Sequence, residues 1–160
     1  MEPGKLLRIY INDHRAGAVG GASLCRRISE DEKGTPLGDL AAELLVEIDA
    51  ERQQLERYAR ENGIACDPVK TLAAAAAELV SRLKLNGLFG RSPLRPVLQV
   101  EALMAGVDAK RSLWQALVAS DNMEPLDLNA FEQLLAWAKS QHDRLEVQHR
   151  EVARNVLATS

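Results

Sequence analysis

Ionisable side chains fall on the apolar stripes of this chain, where a helix would carry them inward. His14 lies on the series Leu7, Ile11, His14, Ala18, Gly21, Cys25 and Ile28, and Glu51 on Leu37, Ala41, Leu44, Ile48, Glu51, Leu55 and Tyr58. Lys110 shares a series with Val100, Leu103, Val107, Trp114 and Leu117. His142 and His149 sit among Phe131, Leu135, Ala138, Leu145, Val152 and Val156. Steps of four and three place each series on one helical face. A buried charge without a partner is very costly, so such groups either satisfy one another or do chemistry with shifted pKa values. Mutual satisfaction is the commoner outcome. Nucleophilic catalysis has little support: Cys25 falls on a core stripe, and Cys66 has no histidine near it in sequence. There is no phosphate loop, dinucleotide fingerprint or paired cysteine cluster.

The elements that must position these groups are helices. Aromatic residues are only 4% of the chain, and Ala, Leu, Glu and Arg dominate, a balance that favours helix over strand. The expected class is all-α. A single domain over 1–160 is long enough to bury about 68–70% of its unfolded surface. The longest helix is expected over 127–158, capped by Asp127, with Leu126 stapled onto Phe131. Another covers about 5–29, and Thr35-Pro36 reads as the cap and first position of a helix that Asn62-Gly63 closes. Asp67-Pro68 opens a further helix through the alanine run to Asn86-Gly87, and one more runs over about 96–119. Arg82, Lys84, Arg91 and Arg95 surround the linker at 87–96, as an anion site or as ordinary solvated charge. Gly17, Gly20 and Gly21 lie inside the first helix, where each costs about 1 kcal/mol relative to alanine. They are expected to admit a neighbouring helix or a ring such as Tyr58 or Trp114, with the floor of a small ligand pocket as the alternative. Trp137 points away from its stripe, towards a second helix surface or a subunit contact.

Two long antiparallel pairs, with about thirty residues and an extra helix over 63–95 between them, form a four-helix bundle with one long crossover. That order resembles the ferritin-like superfamily over most of the chain. Di-iron and di-manganese members carry an inward Glu on each of two helices and Glu-x-x-His on each of the other two. Glu146-Val-Gln-His149 matches one such motif, and Glu101 can stand as a lone glutamate. The rest departs from the pattern, with His14 where a glutamate is expected and Gln54 where Glu51-Arg-Gln-Gln54 would need histidine.

The resemblance also sets heights along the bundle. At 1.5 Å per residue, His14, Glu51 and Lys110 lie about 14–16 Å up, and Glu101, Glu146 and His149 nearer 28–33 Å. No single layer holds six ligands. The upper layer, Glu101, Glu146 and His149 with Glu43 or Glu47, offers oxygen and imidazole donors for iron, manganese or zinc. Its bland alternative is two surface charges flanking a polar rim histidine. In the lower layer Lys110 would supply positive charge where related proteins place a metal, giving a metal-free hydrogen-bonded network. A bundle with three histidine ligands, as in DinB-like proteins, needs His14, His142 and His149 at one level, which the spacing does not provide.

These readings lead to a metal-free bundle acting by partner binding or self-association rather than as an enzyme, in a stress setting that the resemblance alone implies. A metal-dependent redox protein is the alternative, and whether Glu101 faces His149 separates the two. A net charge of −3 argues against nucleic acid. No apolar run is long enough for a membrane span, and two isolated cysteines without a signal peptide suggest the cytoplasm.

Overall fold

The structure, a computed structural model, describes residues 3–65, 92–120 and 125–158. They form four α-helices: α1 (Pro3–Asp31), α2 (Pro36–Glu61), α3 (Arg95–Ala119) and α4 (Pro125–Leu157). There is no strand among the described residues, so the all-α expectation holds at that level. The crossover helix expected from Asp67, together with Cys66, Arg82, Lys84 and Arg91, lies outside the described residues. No described helix is long and apolar enough to cross a membrane.

Proline opens every helix, at its first or second position. Its fixed φ suits a first turn and its missing amide would go unpaired there anyway. This corrects two boundaries. Helix α1 starts at Pro3 rather than near Lys5, and α4 starts at Pro125, so Asp127 lies in the first turn instead of forming the N-cap.

The chain divides into two compact units, 1–92 and 93–160. In the first, α1 and α2 form an antiparallel hairpin through Glu32-Lys33-Gly34-Thr35, where Gly34 takes a positive φ of 81°. The Glu32 carbonyl accepts from the Thr35 amide at 3.0 Å and from Thr35 Oγ1 at 2.7 Å. Thr35 Oγ1 in turn accepts from the Gly38 amide at 3.2 Å, capping α2 as expected. At the far end Gly63 has φ 64°, its amide donates to Arg60 and the Ile64 amide to Ala59. That pattern is a Schellman motif, closed by burial of Ile64 and Ala59.

All seven residues of the α2 stripe are buried, Glu51 among them. On α1 the buried small side chains are Ala16 and Ala22. A Cβ added to Gly17 or Gly21 would meet nothing within 4 Å among the described residues, so close approach of α2 is not their reason. A polar clasp joins the two helices instead. Arg15 Nε donates to Glu56 Oε1 at 2.8 Å, its Nη2 pairs with the second carboxylate oxygen, and its Nη1 reaches Asn12 Oδ1 at 3.1 Å. Asn12 then donates to the Ala65 carbonyl at 3.2 Å, tying the chain beyond α2 back to α1.

In the second unit α3 and α4 pack antiparallel, with the Trp114 and Phe131 rings 5.4 Å apart. Val100, Leu103, Val107, Trp114 and Leu117 are buried as the spacing predicts, and Leu113 and Gln99 join them. On α4 the fully buried positions are Phe131, Leu134, Ala138, Gln141 and Leu145. Leu134 and Gln141 thus take the place expected for Leu135 and His142, which are half-buried.

Candidate functional site

The α3–α4 hairpin aligns polar side chains into rungs. His149 Nε2 lies 3.0 Å from Glu101 Oε1, and His142 Nε2 lies 3.6 Å from Asp108 Oδ2. Seven residues separate the acids on α3, and seven separate the histidines on α4. Antiparallel helices in this register repeat the pairing one heptad along, about 10 Å away. Just beyond the second rung, two residues after Asp108 and one before His142, the Lys110 ammonium donates to Gln141 Oε1.

Glu101 faces His149, and the two side chains contact each other directly rather than leaving an open coordination position between them. Glu146 does not join them: it accepts from Arg150 one turn along the same helix. Among the described residues no three His, Cys, Asp or Glu side chains gather closely enough to hold a metal ion. The second oxygen of Asp108 lies 3.2 Å from Arg111 Nη2, close enough for attraction but off the line of a hydrogen bond. Each rung thus offers one imidazole nitrogen and one carboxylate oxygen.

Of the expected network, His14 and Glu51 belong to the first unit and Lys110 to the second. Glu51 is only 2% exposed and is not without a partner. His14 is half-buried and meets the Tyr10 ring edge-on, with centroids 4.7 Å apart. Burial pushes its imidazole below the ordinary value of 6.5, against the opposing pull of the Asp13 charge. The unfolded chain then binds a proton that the folded chain resists. Stability should fall as pH drops through 6.5 towards the lowered folded value, and level off below it. Urea unfolding midpoints from about pH 8 to about pH 5 should show this limb, and His14→Gln should flatten it. An unchanged limb would mean that other groups set it.

Sequence reasoning missed Arg15, Glu56, Asp108 and Gln141. Arg15 and Glu56 were legible only as charges flanking the stripes, because their pairing depends on the hairpin register. Asp108 carried a weak signal, lying one heptad after Glu101 as His142 lies one heptad before His149. Cys25 is fully buried, consistent with a core hydrophobe rather than a nucleophile.

On the face of α4 turned away from α3, Ala136, Lys139, Ser140, Asp143, Arg144 and Val147 form a nearly flat strip of surface. Val147 is 61% exposed, and neighbouring Trp137 is 40% exposed. Lys139 bonds Asp143 at 2.7 Å and holds its carboxyl below the usual range. At full exposure that pair contributes little stability.

No protein-family model matches the chain, and neither a curated protein nor a solved structure matches it. The described residues are those of an all-α protein containing two helical hairpins, one of them laced by acid–histidine pairs.

Proposed function

We propose that this protein is a binding protein rather than an enzyme, and that it works by self-association through the outer face of α4. The observation that carries this reading is the exposure of Val147 and Trp137 along one strip of α4. Tryptophan is among the side chains enriched at the centre of protein interfaces. Lys139, Asp143 and Arg144 alternate in sign along the strip. A second copy laid antiparallel with Lys139 opposite Asp143 would form two symmetric ion pairs, the self-complementarity that a two-fold contact uses. Glu101 with His149, Asp108 with His142 and Lys110 with Gln141 pair across the α3–α4 seam, and the opposite face of α4 carries the exposed apolar side chains.

A ferritin-like helix order for the whole chain, a cytoplasmic location and a stress-related role belong to the same proposal. Four long helices in two antiparallel hairpins support the helix order, while the role rests on resemblance alone.

Sedimentation velocity over a concentration series tests self-association. The expected result is a reversible dimer of the 17.6 kDa chain, weakened tenfold or more by Val147→Glu or Trp137→Ala. A monomer at every concentration, or a dimer indifferent to both substitutions, would overturn the proposal.

A further inference from the structure

We infer that the second copy lies antiparallel along α4 in one register, centred at the height of Gln141, with Glu132 facing its Arg150 and Lys139 facing its Asp143. This rests on the self-association proposed above and deepens it, fixing the orientation of the partner and the residues that select it. Glu132, Lys139, Asp143 and Arg150 follow one another at steps of seven, four and seven, so they lie within about 40° of one another around the helix axis. Lys139 and Asp143 belong to the strip turned away from α3, and Glu132 and Arg150 extend it towards the two ends of α4. All four are exposed. Phe131, Leu134, Ala138, Gln141 and Leu145 are buried on the other side of the helix.

Along the chain these charges alternate: negative, positive, negative, positive. They are also placed symmetrically, with Lys139 and Asp143 each two residues, about 3 Å, from position 141, and Glu132 and Arg150 each nine residues, about 13–14 Å, from it. Reversing such a row turns it into its own complement. An antiparallel copy therefore sets opposite charges against each other at all four heights, giving four ion pairs related by the two-fold axis. A parallel copy in register would set like against like at every height, so the row selects one orientation by repulsion as well as by attraction. Within one chain Lys139 already holds Asp143 at 2.7 Å, and Arg150 pairs with Glu146. Those contacts keep the side chains on the strip, and the dimer joins two Lys139–Asp143 pairs into a ring of four alternating charges. Glu132 has no ion-pair partner among the described residues, and Arg150 of the second copy gives it one. Exposed pairs are individually weak, so the row acts through number and symmetry. Ala136 and Val147 lie between the charged positions and add apolar contact.

Sedimentation velocity on the full chain tests the register with Glu132→Lys and Arg150→Glu. Either variant alone puts like charges opposite each other at both ends of the contact and should weaken the dimer about tenfold or more. Mixed in equal amounts, the two should dimerise about as tightly as the wild-type protein, because each supplies the charge that the other lacks. The double variant, which exchanges the two signs and keeps the row self-complementary, should do the same. Recovery on mixing also separates a repelled partner from an unfolded chain. A dimer that Val147→Glu dissociates but neither reversal affects, or a weakened dimer that mixing does not restore, would overturn the register and leave self-association standing. A wild-type protein that stays monomeric at every concentration would overturn both.

Discussion

Gly38→Ala should destabilise the protein by about 3 kcal/mol, although alanine is the better helix former. A Cβ at this position would lie 2.2 Å from the Glu32 carbonyl oxygen and 2.7 Å from its carbon. No real contact is that short, and the obstacle is backbone rather than a flexible side-chain end. The Glu32 carbonyl cannot swing away freely, because it accepts from both the amide and the hydroxyl of Thr35. Moving it would open the turn that joins α1 to α2 and loosen the cap of α2. For a chain of this size, 3 kcal/mol corresponds to a thermal midpoint lower by about 6–12 °C. Gly17→Ala provides the contrast: with open space around the new methyl group, it should stabilise by up to about 1 kcal/mol. Thermal unfolding of both variants decides the matter. A neutral Gly38→Ala would mean that the turn has room to relax.

Lys110→Ala should cost about 2–4 kcal/mol, from loss of a charge-assisted hydrogen bond and of the ammonium that a wholly buried Gln141 accepts from. Lys110 is half-buried, and its stem packs on the seam while the ammonium bonds across it. Substituting Gln141→Leu alone and together with Lys110→Ala completes a double-mutant cycle, with an expected coupling above about 1 kcal/mol. Additive effects, with no coupling, would show that the ammonium draws its stability from elsewhere. A near-neutral Lys110→Ala would mean that it is simply solvated.

Much of the fold was legible because it is local. The α2 stripe came out buried residue for residue, including Glu51, since seven positions on a 3.6-residue period leave one face to bury. Thr35-Pro36 and Asn62-Gly63 marked the ends of α2 because caps and positive-φ positions are local demands on residue type. Pro3 and Pro125 carried the same signal as Pro36, and helix starts read from the apolar periodicity alone fall two residues late at both.

The limit of sequence reading is clearest on α4. Phe131, Ala138 and Leu145 fit two heptad phases equally, one adding Leu134 and Gln141 and the other Leu135 and His142. Each phase offers one leucine and one polar residue, so hydrophobicity cannot choose between them. Packing against α3 chooses the first, which buries Gln141 beside Lys110 and leaves His142 and His149 at the seam's edge, facing Asp108 and Glu101. Residue types and their spacing were enough to show that the described chain is helical, where α2 begins and ends, and which face of α2 is buried. Tertiary structure alone decided which polar groups meet, because a rung between two helices depends on their mutual register and rotation, and neither is encoded in the periodicity of one helix.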